Sequence, residues 1–200
     1  MTRVLVVIGA ILLVLFIGAS SLGGSYNRLV TLDQAVKAQW AQVESSYQRR
    51  ADLVPNLVAT VKGAANFEKS TYVAVAEARA KVSQVNVSGA NVPNDPAAFE
   101  RFARAQDGLS SALSRLIAVS DSYPQLKATQ NFSDLQAQLE GTENRIAVER
   151  MRYNEAAQTF NTARDSLPTV IVAGFFGARF DEKAYFKTQP GAQSAPPVKL

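Results

Sequence analysis

The side chains with the means for chemistry fall in two short runs. One holds Arg49, Arg50 and Asp52, just ahead of Pro55 and Asn56, in QRRADLVPNLVATVKG. The other holds Glu143, Arg145, Glu149 and Arg150, in GTENRIAVERMRYN. Paired carboxylates are the equipment of glycoside hydrolysis, and Glu-rich helices can cradle a di-metal centre. The chain contains neither cysteine nor histidine. That removes Cys nucleophiles, His bases, Cys/His zinc sites and the Glu-x-x-His di-iron pattern. A carboxylate-dependent hydrolase is left as the catalytic alternative. Against it stands the ordinary use of helix carboxylates as ion pairs and solvated faces, and no cofactor is implied.

The elements that carry these runs are helical. From Tyr26 to Val82 one apolar stripe reads Val36, Val43, Arg50, Leu57, Ala64 and a second reads Trp40, Tyr47, Val54, Val61, Glu68, Val75, Val82. Together they make an a/d-like seam, and the alternation of a strand is missing. Ser83–Pro96 is rich in Asn, Gly, Ser and Pro and reads as a loop. Asp95 before Pro96 is a helix start, with a capping oxygen followed by a proline at the first helical position. The next helix covers about Pro96 to Ser122 with Phe99, Phe102, Leu109, Leu113, Leu116 and Tyr123 on its seam, and Pro124 ends it. A third helix, capped by Asn131, carries Leu139, Ile146, Tyr153, Phe160 and Leu167 at seven-residue spacing, and Pro168 stops it.

The expected fold is all-α: a long antiparallel helical bundle of three to four helices behind an N-terminal transmembrane helix. Residues 1–25 are expected as a membrane anchor or an uncleaved signal, 26–178 as the bundle, and 179–200 as a partly disordered C-terminal extension. A helix from Tyr26 to Val82 would run ~85 Å against ~40 Å for its short partner. Either it bends near Pro55, or the third helix covers its other half, or a second copy does. The bilayer partner is the stretch 4–22, which lacks charge and spans ~30 Å as a helix. Without cysteine no lipoprotein anchor is available. Net charge is +4, spread evenly over both halves, so no clustered basic face calls for nucleic acid. The lysines and arginines flanking the apolar stretch give a slight tilt toward an exported bundle, on the periplasmic or extracytoplasmic side of a single-pass cell-membrane protein.

Two segments, Tyr26–Gly63 with its RRADLVPNL core and Ser122–Thr162 with GTENRIA followed by Tyr-Asn, resemble the LemA family of bacterial membrane proteins. The resemblance covers about Tyr26 to Ala178. It implies one N-terminal transmembrane helix and a long antiparallel bundle, and it implies no reaction. One departure is Phe160-Asn161, where a second Tyr-Asn is common; this keeps aromatic packing but leaves no hydroxyl.

Arg50 lies on the apolar seam, and a buried charge persists only when partnered. The expectation is therefore a structural polar layer of Arg49, Arg50, Asp52, Glu143, Arg145, Glu149 and Arg150 beside a kink at Pro55. There the freed carbonyl of Ala51 is satisfied by Arg49, Arg50 or Asn56. Trp40, Tyr47, Tyr153 and Phe160 are expected in the core or at a homo-oligomer interface. Phe175, Phe176, Phe180, Tyr185 and Phe186 form an aromatic cluster, read as a bundle cap or as a contact to the bilayer or a partner. The functional expectation is a non-enzymatic scaffold or interaction module at the cell envelope. The second reading is a sensor or adaptor that modulates a membrane-protein partner.

Overall fold

The computed structural model describes residues 2–63, 68–85 and 92–187. Ala64, the centre of the Ser83–Pro96 loop and the tail from Thr188 lie outside the described residues. Everything described is helix, 3-10 turn or coil, with no strand among the described residues. The helices are α1 (Thr2–Lys62), α2 (Lys69–Gln84), α3 (Pro96–Ser120), α4 (Pro124–Lys127), α5 (Gln130–Asp165) and α6 (Thr169–Phe176). Short 3-10 turns occupy Val92–Asn94 and Gly177–Phe180.

Helix α1 changes character along its length. Its first turns are apolar all round, and Leu5, Ile11, Leu12, Phe16 and Ile17 are exposed, so nothing among the described residues covers them. This stretch has the length and hydropathy to cross a membrane. From Leu29 onward only the seam is apolar, and it is buried: Val36, Trp40, Val43, Tyr47, Val54, Leu57 and Val61 are all 4 % exposed or less. A fully buried side chain of this size contributes ~1.5–3 kcal/mol, so the seam dominates the packing energy of the bundle.

The length problem is solved by a reversal between α1 and α2, with α1 uninterrupted at Pro55. Helix α1 passes through Pro55, which lies on an exposed face, and ends at Lys62, where the Gly63 amide bonds back to Ala59 and Thr60. Helix α2 then returns along α1. Glu68, expected on the seam, is instead an exposed residue at the start of α2, whereas Val75 is buried as expected. The carbonyl of Ala51, freed by the proline, accepts a bond from Arg79 Nε of α2 at 3.1 Å, not from Arg49, Arg50 or Asn56.

Helix α3 begins as its sequence dictates. Asp95 Oδ1 accepts from the Ala97 and Ala98 amides, and Pro96 opens the first turn. It runs in the direction of α1, so Phe99 and Phe102 meet Trp40 while Leu109, Leu113 and Leu116 join Val54, Leu57 and Val61. Helix α5 starts after Thr129, with Asn131 inside it rather than capping it, and runs the opposite way. Phe132 and Leu139 pack at the Val61 end, and Tyr153 packs on Trp40. Leu167, expected as the last seam residue, is 80 % exposed because α5 ends at Asp165, short of Pro168.

Candidate functional site

Because seven residues are nearly two helical turns, Arg50 lands between Val43 and Leu57 on the buried stripe. It is 1 % exposed. Its guanidinium donates to Glu143 Oε1 at 2.9 Å, Ser110 Oγ at 2.5 Å, Gln106 Oε1 at 2.5 Å and the Gln106 carbonyl at 3.0 Å. Its Cζ also lies 4.9 Å from the Tyr47 ring centroid. The planar fork of donors suits several acceptors held by two neighbouring helices, α3 and α5.

The other residues of the expected polar layer are dispersed. Arg49, Asp52, Asn56 and Arg145 are exposed, and Asp52 accepts from Gln48 at 2.8 Å. Glu149 is buried but belongs to a separate contact, accepting from Gln39 at 2.6 Å and Arg152 at 3.2 Å. Arg150 reaches Asp107 at 3.5 Å and lies over the Phe186 ring at 4.6 Å. Six residues apart on α5, Glu143 and Glu149 are separated by ~9 Å along the axis and face different directions. A groove of about 430 Å³ opens nearby between α1, α2 and α3, lined by Glu44, Tyr47, Gln48, Arg79, Phe102 and Gln106. Neither Arg50 nor Glu143 lines it.

Trp40, Tyr47, Tyr153 and Phe160 are buried in the core of the single chain, at 4 % exposure or less. The apolar stripe that called for a second copy is therefore already covered. Its first half is covered by Phe99 and Phe102 of α3, by Tyr153 of α5 and by the segment 177–187, which leaves the end of α6 and runs back beside α1 and α5. Phe180, Lys183 and Phe186 of this strap are buried. The bundle thus continues past residue 178, and the aromatic cluster divides. Phe180 and Phe186 enter the core, while Phe175 stays outside it.

The strap is held by a repeat on α5. Asn161 Oδ1 accepts from the Lys183 amide at 2.9 Å, and Asn161 Nδ2 donates to the Lys183 carbonyl at 3.0 Å. Asn154 does the same with Phe186, accepting at 2.9 Å and donating at 2.9 Å. Each side-chain amide thus stands in for the neighbouring strand that an extended segment needs. The spacing fits: seven helical residues rise ~10.5 Å and three extended ones ~10 Å. Tyr153 Oη adds a bond to the Ala184 carbonyl at 3.0 Å, and Arg164 Nε donates to the Phe180 carbonyl at 2.7 Å. Burial raises the Tyr153 phenol above its ordinary range, so it stays protonated and can donate.

The clasp also delivers a second buried cation, which the sequence reading missed. Lys183 is 1 % exposed; its Nζ donates to Asp33 of α1 at 2.6 Å and to Asn94 Oδ1 at 2.5 Å. It lies 4.4 Å from the Phe160 ring centroid. A phenyl in this position offers a π face to the ammonium where Tyr153, one heptad earlier, offers a hydroxyl to the strap. Burial alone would raise the Asp33 carboxyl, but bonds from Lys183 and Lys37 outweigh it and hold it below 3.8. Burial pulls Lys183 downward against the opposing attraction of Asp33. The signal that could have found this clasp was the aromatic-Asn pair repeated at 153–154 and 160–161.

A long apolar helix that becomes one rod of an all-α bundle, closed by a clasped C-terminal strap, defines a membrane-associated helical-bundle protein. The profile of the LemA family matches residues 39–200, and the chain belongs to that family. Among the relatives it resembles are proteins that carry the name magnetosome protein. MamQ 2 of Paramagnetospirillum magneticum is 27 % identical over 205 residues, covering 95 % of this chain and 74 % of its own. MamQ of Magnetospirillum gryphiswaldense is 26 % identical over 184 residues, covering 84 % of this chain and 67 % of its own.

Proposed function

We propose that this protein is a single-pass, membrane-anchored scaffold of the bacterial cell envelope, acting through protein contacts rather than turnover. The observation that carries this reading is the continuity of α1 from the exposed apolar stretch into the buried seam. No flexible link intervenes, so the bundle is held at a set height and orientation above the bilayer. The two polar runs support the same reading, since Arg50 and Glu143 bond to each other and Arg50 to α3. Partners, whether another membrane protein or further copies, engage the polar exterior, because the aromatic stripe is already buried. The bundle lies on the extracytoplasmic side.

The absence of native cysteine makes the test clean. A Gln42→Cys chain in intact spheroplasts should react with a membrane-impermeant maleimide; labelling only after permeabilisation would reverse the topology. A photo-crosslinker at exposed Gln42 should give discrete adducts in cells. Insertion of a flexible Gly-Ser segment after Gly24 should scatter those adducts without changing helical content. An unchanged adduct pattern would remove the rigid-display argument.

A further inference from the structure

Helix α6 has no polar face. Thr169, Val172 and Ala173 turn inward and are buried, while Leu167, Val170, Ile171 and Phe175 are exposed, Phe175 by 84 % and Ile171 by 59 %. A surface helix normally sets a polar face against water. An apolar outer face usually marks an interface, and its position says which one. It flanks the last turn of the apolar stretch of α1: a groove of about 510 Å³ is lined by Leu22, Tyr26, Ile171, Val172, Phe175 and Phe176. The Phe176 ring lies 4.9 Å from that of Tyr26. Just beyond, on the bundle side, stand exposed Arg28 and Arg179, with the Arg179 guanidinium 5.4 Å from the Tyr26 ring. Apolar side chains, then ring side chains, then arginines along one axis is the ordering of a bilayer edge.

We infer that α6 is a second membrane contact, a foot whose Ile171–Phe175 face sinks into the acyl–headgroup boundary of the leaflet beside the α1 span. The occupant is lipid because the face is continuous with the exposed apolar surface of α1 and lies at the same height. This inference rests on the reading that the α1 stretch spans the bilayer. The foot gives the bundle two points of attachment instead of one, and so limits its tilt and its rotation about the span. The strap leads directly from the foot into the Asn clasp, so the same segment that contacts lipid closes the core.

The test uses the full chain reconstituted into phosphatidylcholine–phosphatidylglycerol vesicles, with single spin labels at Leu12→Cys, Met151→Cys, Ile171→Cys and Phe175→Cys. All four positions are exposed, so the labels leave the core intact, which circular dichroism checks. Power saturation then compares collision with oxygen, which partitions into lipid, and with a water-soluble nickel chelate. The ratio at 171 and 175 should exceed that at 151 severalfold and approach that at 12. A ratio at 171 and 175 equal to that at 151, with 12 still in lipid, overturns the foot and leaves the anchor standing. Shielding of 171 and 175 from both reagents also overturns it, by placing protein on that face. A water-like value at 12 would fell the anchor reading and the foot together.

Discussion

Arg50 and Lys183 are both cations buried to about 1 % exposure, yet they are buried in different ways. Arg50 sits on a helical stripe and spreads its donors over neutral groups of α3 as well as Glu143, whose side chain is 38 % exposed. Lys183 sits on an extended strap and relies on one carboxylate, Asp33, whose side chain is 8 % exposed. A guanidinium with several acceptors tolerates the loss of any single one, whereas a desolvated point charge depends on its counter-ion. The first node ties three helices together; the second ties the strap to α1. Neither cation itself lines the groove between α1, α2 and α3, although Tyr47 and Gln106, which contact Arg50, do.

The largest expected effect breaks the second node. Asp33→Ala leaves Lys183 buried without a counter-charge and should cost ~3–5 kcal/mol. Adding Lys183→Met should recover most of that loss in chemical denaturation of the detergent-solubilised chain. A cost near zero for Asp33→Ala would mean that water reaches the node. The same pair sets an acid limit. Asp33 is held below 3.8 in the folded chain, so as pH falls the unfolded chain takes up the proton first. Its contribution is full above about pH 4 and is lost as pH drops through the lower folded-state value. The Asp33→Asn chain should lack this part of the acid sensitivity in a series of melts.

Next comes Arg50→Met, which strands Gln106 and Ser110 and should cost about 2–3 kcal/mol. Glu143→Gln should cost at most about 1 kcal/mol, because the carboxylate is partly solvated. A double-mutant cycle should give a modest coupling for Arg50 with Glu143 and none with Glu149; coupling to Glu149 would contradict the separate contacts seen for it. The clasp is graded in the same way, its buried amide ahead of its partly buried one. Asn161→Ala should cost about 1–3 kcal/mol and partly buried Asn154→Ala about 1 kcal/mol. Hydrogen exchange should show the Lys183 amide released in the first and the Phe186 amide in the second. Unchanged protection of both amides would show that packing of Phe180 and Phe186 alone holds the strap.

Much of the architecture was open to reading from periodicity. The seven-residue spacing of Val36, Val43, Arg50 and Leu57, and of Leu139, Ile146, Tyr153 and Phe160, named the buried faces. Asp95-Pro96 named the start of α3. The same method overran at Gly63, where the heptad count continued into Glu68 while the chain turned back. A stripe records which face is apolar and says nothing of where the helix stops. It also dispersed the site: Arg49, Asp52 and Arg145 are near Arg50 or Glu143 in sequence, but a helix turns neighbours 100° apart and sends them to solvent.

By itself the sequence determined the apolar stretch, the main run of the seams, the Asp95–Pro96 start of α3 and the exclusion of thiol and imidazole chemistry, because each depends on residue type at local spacing. Tertiary structure alone decided that Arg79 satisfies the Ala51 carbonyl freed by Pro55, and that Lys183 finds Asp33 across 150 residues. It also decided that residues 177–187 close the core. The first pairing joins two helices across a reversal, and the strap's pairings join a helical segment to an extended one, with no shared period. Their match exists only once two helical turns of α5 lie beside three extended residues of the strap.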